Sequence, residues 1–123
     1  MLLVKTVLKK SPIHGLGVFA AEAIPAGTPV ARYVAGLDFC FDHIVAQRLD
    51  EITKGFLERY AYRLPGRPET LYCSLDNTRF INHADDPNLD DSGPITIAAR
   101  DIAAGEELTT NYDVLCEPVT IAS

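Results

Sequence analysis

The chain opens on an apolar, β-branched run, Leu2 to Leu8 (LLVKTVL), which predicts a mostly buried strand. Pro12, Gly15 and Gly17 break up Ser11–Gly17 (SPIHGLG), so that segment reads as a loop. Val18 to Ile24 looks extended. Pro25-Ala26-Gly27 then turns the chain into a second strand, Pro29–Val34, as a hairpin or a β-corner. The helical pattern runs from Asp42 to about Tyr62, where Val45, Leu49, Ile52, Phe56 and Tyr60 recur at spacings of four and three. That stripe is assigned to the core, with Asp42 as N-cap and Gly55 costing about 1 kcal/mol relative to Ala. Pro65-Gly66-Arg67-Pro68 ends the helix. A strand at Thr70–Leu75, a polar turn-rich stretch from Asp76 to Gly93, a strand at Ile95–Ala99 and a last strand at Glu107–Asn111 complete the pattern. Many short strands and one main helix at about 42–62 predict a mainly β domain of α+β type, with its functional residues in loops.

The length of 123 residues suits a single domain over 1–123, able to remove about two-thirds of its unfolded surface from water. The formal net charge of −6 argues against direct nucleic-acid binding, which needs clustered Lys and Arg, and suits a basic partner. No stretch approaches the roughly 20 apolar residues needed to span a bilayer, and the first residues lack a signal-peptide core. A soluble, intracellular protein is expected. Cys40, Cys73 and Cys116 are odd in number and widely spaced, so neither a disulfide framework nor a zinc knuckle follows.

Several chemistries are excluded locally. Gly15-Leu16-Gly17 permits close backbone approach to a ligand but lacks the third glycine of a dinucleotide fingerprint. The acidic stretch Asp85 to Asp91 fails the EF-hand test: counting from Asp86, position six is Asp91 rather than Gly, and position twelve is Ile97 rather than Glu. His14, His43 and His83 show no metal-binding spacing, and no nucleophile-elbow motif is present.

What remains is an ordered set: Arg79-Phe80-Ile81-Asn82-His83, Pro87-Asn88, Ala99-Arg100-Asp101-Ile102, Gly105-Glu106-Glu107-Leu108-Thr109 and Tyr112. With His14-Gly15-Leu16-Gly17-Val18-Phe19-Ala20 near the start, it resembles the SET domain, the family of S-adenosylmethionine-dependent protein-lysine methyltransferases. The resemblance spans the chain from the first glycines to Tyr112. It implies a β-clip-like fold of small curved sheets with a knot-like crossing, in which the segment of Asn82 and His83 packs against that of Tyr112. By similarity Gly15, Leu16 and Gly17 would lie along the cofactor, and Asn82 and His83 would hold its amino-acid and adenine portions. Arg79 and Phe80 would line the same pocket. Tyr112 matches the catalytic tyrosine, and Tyr33 matches a tyrosine of the lysine channel. Tyr72 is either a further lining residue or simple core. Thr110 stands where the family usually has an aromatic residue that limits methyl number, so a small residue leaves room for di- or trimethylation.

The chain also departs from the family. Asn82-His83-Ala84-Asp85 lacks the cysteine of the zinc-binding post-SET class, and only Cys116 follows Tyr112, so no metal is expected. Eleven residues follow Tyr112. Either Val114–Ile121 folds over the channel, or a second subunit closes it in a homodimer. The expected activity is transfer of methyl from S-adenosylmethionine to lysine of a histone or other Lys/Arg-rich protein, leaving S-adenosylhomocysteine. The alternatives are a non-catalytic binding module of the same fold, against which the trio Asn82, His83 and Tyr112 speaks, and a non-histone or small-amine substrate.

Overall fold

The computed structural model describes residues 1–63 and 67–112. The elements are β1 (Thr6–Lys10), β2 (Leu16–Ala20), β3 (Pro29–Arg32), β4 (Phe39–Asp42), α1 (His43–Gln47), α2 (Glu51–Tyr60), β5 (Thr70–Cys73), a 3₁₀ turn (Asn77–Phe80), β6 (Asn82–His83), β7 (Leu89–Asp90), β8 (Ile95–Ala98) and β9 (Thr109–Thr110). Among the described residues the strands form small sheets: β1–β2, β3–β8–β7, β4–β5 and β6–β9. The mainly β architecture with one main helix is therefore as the sequence pattern predicts.

The opening apolar run serves two sheets rather than one strand. Leu2 bridges to Ala31, while Thr6–Lys10 pairs antiparallel with β2, from Thr6↔Ala20 to Lys10↔Leu16. β1 alternates instead of being mostly buried, with Thr6 and Leu8 half-buried and Val7 exposed. β2 is buried from Gly17 to Ala20. Val18 and Ala20 enter the main core with Ile24, Val30, Ile81, Leu89, Ala98, Ile102 and Leu108, and the Lys9 ammonium lies 4.4 Å from the Phe19 ring centroid.

The Pro25-Ala26-Gly27 turn makes a corner and not a hairpin, since β2 pairs with β1 and β3 pairs with β8. Gly27, at φ 83, is suited to that turn, and its N–H donates to the Ala98 carbonyl at 2.7 Å.

The helical stretch is divided. α1 starts at Asp42, whose carboxylate accepts the Ile44 N–H at 2.8 Å, and closes at Arg48. Asp50 then caps α2, accepting the Thr53 N–H at 2.8 Å and the Thr53 hydroxyl at 2.9 Å. The break resets the helical phase, so the expected core stripe faces largely outward: Ile52 is 87% exposed, and Val45 and Phe56 are exposed as well. Ala46 and Leu57 point inward instead and pack with Leu71 of β5, flanked by Phe41, Leu49 and Ala61. Among the described residues no helix is long and apolar enough to cross a membrane.

The arrangement that matters most for the site is the parallel pairing of β6 with β9, Asn82↔Thr109 and His83↔Thr110. Parallel neighbours need a long crossover; here β7, β8 and the 101–105 turn supply it. Asn88, 2% exposed, fastens that crossover. Its Nδ2 donates to the Glu107 carbonyl at 2.8 Å and to Glu106 Oε2 at 2.7 Å, and its Oδ1 accepts the Thr109 N–H at 2.9 Å.

Candidate functional site

Asn82 sits where the glycine loop, the 3₁₀ turn and the Glu107 segment converge. Its Nδ2 donates to the carbonyls of His14 (3.0 Å) and Leu16 (3.1 Å) and to Glu107 Oε2 (2.9 Å). All of its amide hydrogens are thus spent inward. The Glu107 carboxylate also accepts the Ser11 hydroxyl at 2.8 and 2.9 Å, and Ser11 Oγ in turn accepts the Ile13 N–H at 2.9 Å.

The two loop glycines have different reasons to be glycine. Gly15 holds φ 47, and a Cβ there would meet nothing within 4 Å. Gly17 is packed so tightly that a Cβ would lie 2.4 Å from Glu107 Oε2 and 3.0 Å from Ser11 Cβ. Its small size admits the chain's own carboxylate, whereas the sequence suggested approach to a ligand. Leu16 between them is exposed at the start of β2.

The 3₁₀ turn leads into this centre. Asp76 caps it by accepting the Thr78 N–H at 3.0 Å, and the Arg79 guanidinium reaches back to the carbonyls of Leu75 (3.1 Å) and Asp76 (3.2 Å). Arg79 also lies 4.8 Å over the Phe80 ring, and Phe80 meets Tyr60 of α2 edge to face at 5.7 Å. A second link from α2 joins Arg59 Nη2 to His14 Nδ1 at 3.0 Å.

The parallel β6–β9 pairing carries Tyr112 to His83. The Tyr112 N–H donates to His83 Nδ1 at 3.0 Å, the rings lie 5.5 Å apart, and the Tyr112 hydroxyl donates to the Ile81 carbonyl. Because Nδ1 accepts, the ring hydrogen of neutral His83 is on Nε2, which faces Asp85 Oδ1 at 3.1 Å. Tyr112 is 43% exposed, so its ring presents a face to solvent while its hydroxyl is anchored.

Tyr33, just past the end of β3, and Tyr72 of β5 form an aromatic grouping. Their rings meet edge to face at 5.5 Å, and Tyr62 stacks on Tyr72 at 5.6 Å. A hydrogen bond with the Cys40 side chain, and secondarily desolvation, hold the Tyr33 hydroxyl above the ordinary tyrosine range. Tyr72 is 4% exposed, so it packs as core while touching Tyr33. Behind them Asp38, nearly buried, accepts the N–H groups of Val34 (2.8 Å) and Leu75 (3.2 Å), fixing the loop after Tyr33. Thr110 is buried, with its hydroxyl donating to Asp91.

Residues 15–113 match the family model for the SET domain. The chain belongs to the SET domain family. It is 32% identical to histone-lysine N-methyltransferase set1 of Dictyostelium discoideum over 92% of this chain and 8% of that protein. It is also 32% identical to the H3 lysine-4 specific histone-lysine N-methyltransferase of Mycosarcoma maydis over 84% of this chain and 8% of that one. The Chaetomium thermophilum Polycomb Repressive Complex 2 in an autoinhibited conformation bound to S-adenosylmethionine superposes with TM-score 0.65 at 30% identity, covering 89% of this chain and 15% of that one. The chain spans no more than 8% of the length of these curated relatives.

Within this SET domain the sequence-selected residues fall into two groupings: the loop 15–17 with Asn82, His83, Thr110 and Tyr112, flanked by Arg79 and Phe80 of the 3₁₀ turn, and the pair Tyr33–Tyr72. Glu107, Ser11 and Asp38 were not singled out as site residues. Glu107 lay in the recognised Gly-Glu-Glu-Leu-Thr block, yet only folding brings it to Ser11, 96 positions earlier. Among the described residues no group of three or more His, Cys, Asp or Glu could hold a metal ion. Cys40 is exposed and Cys73 buried, while Cys116 and Val114–Ile121 lie outside the described residues. The acidic stretch serves turns: Asp90 Oδ1 accepts the Ser92 N–H at 2.9 Å, and Asp91 accepts the Thr96 and Thr110 hydroxyls.

Proposed function

We propose that this SET domain transfers a methyl group from S-adenosylmethionine to the side-chain amine of lysine in a basic protein substrate, with histones the leading class. One observation carries the reading: the β6–β9 pairing brings Asn82, His83 and Tyr112 together, with Asn82 bonded to the His14 and Leu16 carbonyls of the glycine loop. The relatives named as histone-lysine methyltransferases and the S-adenosylmethionine-bound neighbour support it. Action on chromatin is the corresponding setting, and the net charge of −6 suits a Lys/Arg-rich segment.

The residues present fit S-adenosylmethionine. With the Asn82 Nδ2 hydrogens turned inward, its Oδ1 is left without a protein partner among the described residues, an acceptor suited to an ammonium group. The open side of Gly15 leaves backbone accessible beside it. In this reading Gly15, Leu16, Gly17, Asn82 and His83 hold the cofactor, with Arg79 and Phe80 shaping the same side. When bound, S-adenosylmethionine supplies an electrophilic methyl on a sulfonium.

The chain's own work is to present a neutral amine in line with that methyl. A lysine of pKa about 10.4 must give up its proton near neutral pH, at a cost of about 4 kcal/mol. Partial desolvation beside the Tyr33 and Tyr72 rings lowers that cost by disfavouring the ammonium. The Tyr112 hydroxyl, held at the Ile81 carbonyl, and the neutral Tyr33 hydroxyl orient the amine. The small Thr110 leaves room for a second and third methyl.

The test is transfer of labelled methyl from S-adenosylmethionine to histones and other basic proteins, with wild type beside Tyr112→Phe. Label on lysine that depends on Tyr112 supports the reading. Intact cofactor binding with no label on any protein in the panel excludes these substrates. Absence of both binding and label overturns the reading in favour of a non-catalytic module.

A further inference from the structure

We propose that Glu107 is a positioning residue for cofactor binding: with Ser11 it locks the Asn82 amide and the 13–17 loop into one binding-competent arrangement. The inference rests on the S-adenosylmethionine reading above and names the device that prepares its site.

The chemistry of the donors fixes the arrangement. A carboxylate is acceptor-only, so Glu107 Oε2 accepts only the NH₂ end of the Asn82 amide, at 2.9 Å. The His14 and Leu16 carbonyls, at 3.0 and 3.1 Å, require the same end. A flipped amide would set its Oδ1 against three acceptors at once. Glu107 thus joins the two carbonyls in making the Asn82 acceptor oxygen the free face of the side chain.

The same carboxylate ties down the loop from its other end. Ser11 donates its hydroxyl to Glu107 at 2.8 Å, and the Ser11 oxygen accepts the N–H of Ile13 at 2.9 Å. A chain of hydrogen bonds therefore runs from Ile13 through Ser11 and Glu107 to Asn82, and from there back to the His14 and Leu16 carbonyls. Gly17 is the residue that lets the carboxylate into this ring, since any Cβ would collide with Oε2 at 2.4 Å. Glu107 stands two residues before β9 (Thr109–Thr110), the strand that pairs with β6, so the clamp also couples the loop to the strand leading to Tyr112.

Rigidifying a loop in its bound form raises affinity by removing an ordering cost. Glu107→Ala, Glu107→Gln and Ser11→Ala in the full chain test this. The readouts are S-adenosylmethionine affinity by calorimetry, KM for cofactor against kcat, and NMR exchange of the Asn82 side-chain amide and the Gly15 and Gly17 N–H groups without cofactor. Glu107→Ala is expected to weaken binding about tenfold or more, to raise KM more than it lowers kcat, and to speed exchange at all three positions. Glu107→Gln keeps one acceptor oxygen for Asn82 and is expected to recover affinity to within about threefold of wild type. Ser11→Ala is expected to fall between them.

Glu107→Ala with affinity within about twofold of wild type, or Ala and Gln variants equally impaired, overturns the positioning role. Wild type that fails to bind S-adenosylmethionine overturns the cofactor reading instead. The exchange data then decide the clamp alone: unchanged exchange at Asn82, Gly15 and Gly17 in Glu107→Ala overturns it.

Discussion

The backbone N–H of Tyr112 donates to Nδ1 of His83 at 3.0 Å, across the end of the parallel β6–β9 pairing. The bond ties the start of the residue 112 backbone to an imidazole on the neighbouring strand, so the Tyr112 ring is aimed by β6. His83→Ala deletes the acceptor. His83→Asn places an amide oxygen close to where Nδ1 stood. The expected result is a loss of methyl transfer of roughly three- to tenfold for the Ala variant beyond that of Asn, the rate equivalent of one hydrogen bond. Steady-state rates at saturating cofactor check it, and equal rates for the two variants would sink the idea.

Gly17 and Glu107 are coupled by contact, and the coupling has a measurable sign. Gly17→Ala drives a Cβ to within 2.4 Å of the Glu107 carboxylate, so it is expected to destabilise by about 1–3 kcal/mol, as overpacking does. In a Glu107→Ala background the main obstacle is gone, and the same substitution is expected to cost less. A double-mutant cycle by urea unfolding reads the difference directly. Strict additivity would mean that the neighbourhood yields without involving Glu107.

Those two contacts mark what the sequence left illegible. The strands from Ile95 and Thr70 and the cap at Asp42 are plain in the pattern, and Pro12, Gly15 and Gly17 mark the loop that precedes β2. β6 is a two-residue strand too short to leave any periodicity, and although the pattern predicts a last strand over Glu107–Asn111 that contains β9, the pairing of the two is available only from the family resemblance. The Ser11–Glu107 bond joins residues in opposite ends of the chain, and no local pattern announces it. The helix misled for a different reason. An apolar repeat ran through Arg48–Asp50 as if unbroken, while the Asp50 carboxylate had a better use, capping Thr53.

That difference predicts opposite outcomes for two neighbouring residues of α2. Ile52, 87% exposed, makes little contact, and Ile52→Ala is expected to change stability by no more than about 0.5 kcal/mol. Leu57, 7% exposed, packs with Ala46 and Leu71, and Leu57→Ala is expected to cost about 2–5 kcal/mol. Chemical denaturation of both variants decides whether the helix is phased by the continuous stripe or by its interruption.

Acid is expected to loosen the segment that carries Arg79 and Phe80. Burial acts to raise the Asp76 carboxyl, but hydrogen bonds from the Thr78 hydroxyl and from the N–H groups of Leu2 and Thr78 outweigh it, and the net direction is downward. A carboxyl held below its unfolded value stabilises the fold above about pH 4, and that stabilisation is lost as pH falls through the folded value. Asp76→Asn should therefore flatten the acid limb of stability against pH. An unchanged limb would assign it to other carboxylates.

Tyr33 gives the alkaline counterpart. Its hydroxyl is bonded to the Cys40 side chain, which raises its ionisation above the ordinary tyrosine value, with desolvation adding in the same direction. A group whose folded pKa is raised contributes stability that is complete below the unfolded value, about 10, and is lost as pH rises through the folded one. Of the five tyrosines, Tyr33 should be a late one to develop tyrosinate absorbance, and the Tyr33→Phe difference spectrum isolates its signal. Cys40→Ala removes the leading cause and is expected to bring that titration down toward pH 10. A titration that stays in place in Cys40→Ala would leave desolvation as the main cause. In either case the Tyr33 hydroxyl is neutral at neutral pH, so under the proposed lysine reading it can accept from an ammonium and donate to a free amine.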